Sequence, residues 1–169
     1  MEALFEPEKG DLSHENLILT ADGGSRGNPG PAAYGFVVWA LPKNLNPLQI
    51  GLTELQQSFQ TENLIYEHGQ YIGSTTNNQA EWQGLVNGLD YITQNYHNVK
   101  HLFICLDSLL VINQLKGVYK VKNLELKPWH ELAIQSVKKL PKVSFQHIYR
   151  EHNKQADRMV NQALDQLKS

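Results

Sequence analysis

Four acidic residues stand where an unpaired charge is costly. Asp22 follows the apolar run Leu17-Ile-Leu-Thr-Ala21 and opens onto Gly23-Gly-Ser-Arg-Gly-Asn-Pro-Gly-Pro31. Asp107 follows a second apolar run, Leu102-Phe-Ile-Cys-Leu106. Glu81 and Asp157 fall in the first turns of segments whose apolar residues recur at helical spacing. A carboxylate at the end of a buried strand is expensive unless it binds a cation or a substrate. One such acid is readily explained as a helix cap or a surface group, but four at corresponding places are harder to dismiss. Carboxylates within a few ångströms repel and raise one another's pKa, a conflict that divalent cations remove. All-oxygen ligation, without cysteine or paired histidines, suits Mg²⁺ or Mn²⁺ rather than zinc. Two such ions ~4 Å apart can activate a water and stabilise the leaving oxygen of a phosphodiester.

These acids must be positioned by the surrounding elements. Leu17–Asp22 reads as a first strand, stopped by four glycines and two prolines in the next nine residues. Tyr34–Leu41 reads as a second, rich in β-formers. Residues 42–63, punctuated by Pro42, Asn44, Asn46, Pro47 and Gly51, form a long excursion with no evident purpose. Leu64–Ser74 reads as a third strand interrupted at His68-Gly69. A helix then opens at Thr76, with Trp82, Leu85, Val86, Leu89 and Ile92 on one face. Glu81 lies four residues before Leu85 and projects from that same face. Leu102–Leu106 is a fourth strand, nearly all apolar and therefore central. Ser108 can cap a short helix through Leu115 that Gly117 stops. Pro128–Lys139 is another helix and Val143–Tyr149 a fifth strand. Asn153 can cap a last helix, whose apolar face is Ala156, Met159, Val160, Ala163, Leu164 and Leu167. The path from the first strand to the fourth includes a helix, which makes a parallel pair with a crossover. Asp22 and Asp107 then lie side by side, at the sheet edge where open α/β folds bind ligands.

A chain of 169 residues suits one domain, with a loose leader over 1–15 and the domain over 16–169. Its 41% hydrophobic and 19% charged content is that of a globular protein. The acidic opening, Met1 to Glu8, lacks the apolar stretch of a secretory signal, and no run approaches the ~20 apolar residues of a membrane span. No membrane association is expected. The single cysteine, Cys105, cannot form an internal disulfide and fits a cytoplasmic setting, as inert packing within a strand. The formal net charge of −2 hides a segregation. Residues 113–142 hold seven lysines against two glutamates, a surplus of five that leaves −7 elsewhere. Such a stretch is either a solvated helical face or an electrostatic footprint for a phosphate backbone.

With these residues in view, the chain resembles type 1 ribonuclease H, the RNA/DNA-hybrid nuclease family. Four motifs carry the resemblance in the family's order, across residues 22–157. They are Asp22-Gly-Gly-Ser-Arg-Gly-Asn-Pro-Gly-Pro31, Thr76-Asn-Asn-Gln-Ala-Glu81, Asp107-Ser-Leu-Leu-Val-Ile-Asn-Gln114 and Arg150-Glu-His-Asn-Lys-Gln-Ala-Asp157. The resemblance implies an α/β, ribonuclease H-like fold: a mixed five-stranded sheet with helices on both faces and an antiparallel second strand. It implies that Asp22, Glu81, Asp107 and Asp157 hold two Mg²⁺ ions, with Mn²⁺ able to substitute. Asp22 and Asp107 would be shared between the ions, with Glu81 on the leaving-group side and Asp157 on the water side. The implied reaction is endonucleolytic hydrolysis of the RNA strand of an RNA/DNA hybrid, leaving 5′-phosphate and 3′-hydroxyl ends, by a monomer. Asn28, Asn77 and Asn78 resemble residues that reach the hybrid's minor groove, where an amide can both donate to and accept from a 2′-hydroxyl. Helix capping is the other reading of Asn77 and Asn78. Thr76 resembles part of a pocket for a phosphate of the DNA strand, and the loop from Gly23 would let backbone N–H groups approach the RNA.

Two departures stand out. Many relatives carry a basic, tryptophan-bearing helical insertion after the third acid, whereas here residues 114–123 pass directly to the next helix. Tyr119, Lys120 and Lys122 would be its reduced substitute, which predicts weaker and more salt-sensitive binding. Many relatives also place a histidine on a longer loop before the last acid, and here that loop is contracted to Arg150-Glu-His-Asn153. His152 is the candidate for that task, although a lone histidine near a helix start is commonly a surface residue. His147 reads as strand packing. A related nuclease with another substrate, a non-catalytic nucleic-acid module and a plain cation binder are the other readings. The complete set of acids speaks against the second, and the asparagine-rich motifs against the third.

Overall fold

The computed structural model describes residues 14–168. Its strands are β1 (Asn16–Ser25), β2 (Gly30–Ala40), β3 (Leu64–Thr75), β4 (His101–Leu106) and β5 (Val143–His147). Its helices are α1 (Leu52–Gln57), α2 (Asn77–Asn95), α3 (Leu109–Leu115), α4 (Lys127–Lys138) and α5 (Lys154–Asp165). The strands form one mixed sheet in the order β3-β2-β1-β4-β5, with β2 antiparallel to its neighbours and β1, β4 and β5 parallel. Alternation along β1 divides the core. Leu17, Leu19 and Ala21 pack towards α2 with Leu85, Leu89 and Ile92, while Ile18 joins Val37, Phe103 and Met159 on the α5 face. Helices thus cover both faces. Among the described residues, no helix is long and apolar enough to cross a membrane.

Several boundaries differ from the sequence reading, each for a tertiary reason. β1 does not stop at Asp22 but continues through both glycines to Ser25, paired with β2 as far as Ser25↔Ala32. β3 is not interrupted at His68-Gly69. Gly69 lies opposite Gly35, and there α5 rests directly on the sheet. A Cβ at Gly35 would sit 2.5 Å from the Ala156 carbonyl oxygen, and one at Gly69 would sit 2.3 Å from that of Met159. The excursion over 42–63 contains α1 and a 3₁₀ turn (Thr61–Asn63), and Leu55 of α1 is buried in the α5-face cluster with Trp39. β5 ends at His147, two residues early, and a 3₁₀ turn (Arg150–His152) leads into α5. Of the expected leader, residues 1–13 lie outside the described residues. His14 and Glu15 are described, and the Glu15 carbonyl accepts from Lys100 N at 2.7 Å.

The lysine-rich stretch is divided by the fold. Lys116, Lys120 and Lys122 are exposed on the α3–α4 connection, which Gln79 Nε2 ties to the start of α2 by donating to Glu125 Oε2 at 3.1 Å. Lys138, Lys139 and Lys142 lie at the opposite end of the sheet, where β4 and β5 begin.

Candidate active site

Parallel register brings the two strand-end acids together. Thr20 pairs with Cys105, so two residues further along Asp22 and Asp107 emerge side by side on the same face. Glu81 arrives from the first turns of α2. Carboxyl oxygens of Asp22, Glu81 and Asp107 all lie within 4.8 Å of one another. Asp157, exposed in the first turn of α5, lies outside that tight group but lines the same cleft. This cleft, of about 630 Å³, is also lined by Gly23, Asn77, Asn78 and Arg150.

A glycine makes the approach of α2 possible. A Cβ at Gly23 would lie 2.2 Å from the Ala80 carbonyl carbon and the Glu81 nitrogen. Any side chain there would drive Glu81 away from Asp22. The Thr76 hydroxyl caps α2 by accepting from Gln79 N at 3.2 Å, so neither asparagine behind it is needed as the cap. Asn77 instead braces the β1–β2 loop. Its Oδ1 accepts from Ser25 N at 2.8 Å, and its own backbone N–H donates to Asn28 Oδ1 at 3.1 Å.

The electrostatics are those of a site short of positive charge. Burial first, and then the neighbouring Asp107, push the Asp22 carboxyl up to about 8 against the opposing hydrogen bond from Gly23 N. Burial and Asp107 likewise raise Glu81 to about 7, with Arg150 opposing. Among the described residues, Arg150 is the cation that lines the cleft. Clustered oxygen donors of which Asp22 and Glu81 have pKa values raised to neutral pH or above fit hard divalent cations, which would take the place of the protons on those two groups.

The remaining sequence candidates lie elsewhere. His152 is not brought to the carboxylates. Its Nε2 is 3.6 Å from Glu151 Oε1, and it lines a separate cavity of about 480 Å³ with Trp39, Phe59, Lys154 and Arg158. Tyr119, Lys120 and Lys122 are exposed beyond the cleft, on the connection held to α2. His147 is more than packing, since its Nε2 donates to the Asp107 carbonyl at 3.2 Å. Two residues in the cleft region were missed by sequence reasoning. Arg150 opens the last motif, and its nearness to Glu81 has no local signature. Asn153 holds the N-cap position of α5 but makes no side-chain cap, and its Nδ2 donates to Ala21 O at 2.9 Å and Asp107 Oδ2 at 3.1 Å.

Known proteins resemble the chain over most of its length. A family model described as "Reverse transcriptase-like" matches residues 62–163. The chain is 34% identical over 149 residues to "Bifunctional protein Rv2228c" of Mycobacterium tuberculosis, covering 88% of this chain but only 35% of that longer protein. It is 30% identical over 163 residues to "Ribonuclease HI" of Halobacterium salinarum, covering 96% of this chain and 69% of the relative. Among solved structures, LC11-RNase H1 in complex with an RNA/DNA hybrid superposes with a TM-score of 0.71 at 32% identity, over 90% of this chain and 99% of that one.

Proposed function

The chain belongs to the type 1 ribonuclease H family, and from that premise we propose that it is a metal-dependent endoribonuclease that cuts the RNA strand of RNA/DNA hybrids. The products carry 5′-phosphate and 3′-hydroxyl ends. The observation that carries this reading is the convergence of Asp22, Glu81 and Asp107 oxygens within 4.8 Å from three separate elements. Asp22 and Asp107 would hold ions in common, Glu81 would complete the leaving-group side, and Asp157 would serve the water side. Two divalent ions, Mg²⁺ or Mn²⁺, supply an activated water and a counter-charge for the leaving oxygen when bound.

The chain's own residues bind and orient. Asn77 has its Oδ1 engaged by Ser25, so its amide N–H groups remain to donate to the RNA, and bracing by Asn28 fixes that orientation. Asn78 reads the same groove. Gly23 allows the RNA backbone close to β1, and Thr76 bounds the pocket for a DNA phosphate. Arg150 extends a guanidinium fork into an otherwise acidic cleft, suited to the non-bridging oxygens of the phosphate being cut. Tyr119, Lys120 and Lys122 extend the grip along the duplex beside α2. We read the enzyme as a monomer in a cytoplasmic setting; for the setting, the support is that Cys105, the one cysteine of the chain, is buried and unpaired, as suits a reducing compartment.

The test is cleavage of end-labelled RNA/DNA hybrid, double-stranded RNA and double-stranded DNA, each with Mg²⁺ and with EDTA. Mg²⁺-dependent cutting confined to the hybrid's RNA strand is expected. Cutting of the all-DNA duplex, or no cutting of the hybrid, would overturn the reading.

A further inference from the structure

We propose that Asn153 is a positioning residue that locks the Asp107 carboxylate and the end of β1 into one arrangement, presetting the site for divalent cations. The inference rests on the metal-dependent reading above. Asn153 is 2% exposed, and although it stands at the head of α5 its side chain caps nothing there. Its amide nitrogen instead spans the two central strands. One N–H donates to the carbonyl of Ala21, the residue before Asp22, and the other to Asp107 Oδ2. The β1–β4 ladder ends at the Ala21–Leu106 pair, so the amide continues the connection one step beyond the last rung. From the same residue, the backbone carbonyl accepts from Asp157 N at 3.2 Å. Asn153 therefore touches Asp107 directly, Asp157 through its backbone N–H, and the Ala21 carbonyl immediately before Asp22.

The chemistry of the side chain matches that task. Both acceptors are oxygens, so the bridge needs a group with two diverging N–H donors, which a carboxamide has and a carboxylate of the same shape lacks. The arrangement has a cost: Asn153 Oδ1 is buried without a hydrogen-bond partner among the described residues. A group placed only to begin a helix would be better as an exposed cap. A buried, half-satisfied amide is retained where its donors do something the helix does not need. With Oδ2 tethered, the Asp107 carboxylate cannot turn freely, and its other oxygen remains for an ion. Partners of this kind, which hold a ligand rather than the metal, change metal affinity by about 10- to 100-fold when removed.

The test uses the full chain with Asn153→Ala and Asn153→Leu, the latter filling the volume without donors or the stranded oxygen. Mn²⁺ binding is measured by calorimetry without nucleic acid, and hybrid cleavage is measured separately for kcat and KM. Affinity for Mn²⁺ is expected to fall about tenfold or more in both variants. The fall in kcat should exceed any change in KM for the hybrid. A folded variant of either kind that binds Mn²⁺ as wild type does overturns the proposal. If wild type binds Mn²⁺ and Asp107→Asn abolishes that binding while Asn153→Leu leaves the affinity at the wild-type value, this inference alone fails. If wild type binds no Mn²⁺, the metal-dependent reading fails with it.

Discussion

Asp22 carries the clearest consequence at the level of a single residue. Burial and the neighbouring Asp107 raise its carboxyl from 3.8 to about 8. Between those values the folded chain binds a proton that the unfolded chain has released, so this group's contribution to stability falls as pH rises from about 4 to 8 and is level above. Asp22→Asn removes the titration. In EDTA at pH 8 the variant is expected to melt about 4 °C or more above wild type, with the gap closing as pH falls towards 4. Equal or lower melting at pH 8 would contradict the assigned burial. Cation binding to wild type must also displace protons from Asp22 and Glu81. Calorimetry at pH 7 in buffers of different ionisation enthalpy should record the release of about one proton per molecule, and affinity should rise from pH 6 to 8. No release would mean that the ion binds elsewhere.

At the level of elements, the site depends on how closely α2 meets the end of β1. Gly23→Ala places a methyl group 2.2 Å from the α2 backbone. It is expected to destabilise the fold by about 1–3 kcal/mol and to depress cleavage beyond what that loss explains, because Glu81 is pushed out of range. Denaturant melts and kcat on the same preparation check both parts, and an active, wild-type-stable variant would contradict the close approach. The same approach marks the limit of what the sequence conveys. Asp22 and Asp107 were legible because apolar runs end at them, and Glu81 because a 3.6-residue period puts it on the buried face. Gly69 read as a strand break, since nothing local says that Met159 of α5 will rest on it. Asn153 read as a cap because local chemistry favours asparagine there. Only the docking of α5 across β1, β2 and β3, which sets its head against Ala21 and Asp107, redirects its side chain. Arg150 was overlooked because its partner, Glu81, lies far away in sequence.

Over the whole molecule, the fold sorts charge in a way that net charge conceals. Lys120 and Lys122 are held beside the start of α2, whereas Lys138 and Lys139 lie at the far end of the sheet. Replacing Lys120 or Lys122 by alanine should weaken hybrid binding and lower the slope of log affinity against log salt by about 0.7–0.9 for each phosphate no longer neutralised. Lys138→Ala and Lys139→Ala should change neither, and the reverse pattern would put the substrate on the other end. The most direct test of the central claim, that carboxylates from separate elements jointly hold the ions that cut RNA, is Asp107→Asn assayed for hybrid binding and for Mg²⁺-dependent cleavage together. The predicted result is a folded protein that still binds the hybrid and cuts it about a thousandfold more slowly or not at all. A folded Asp107→Asn protein that cleaves at a rate near wild type would contradict it.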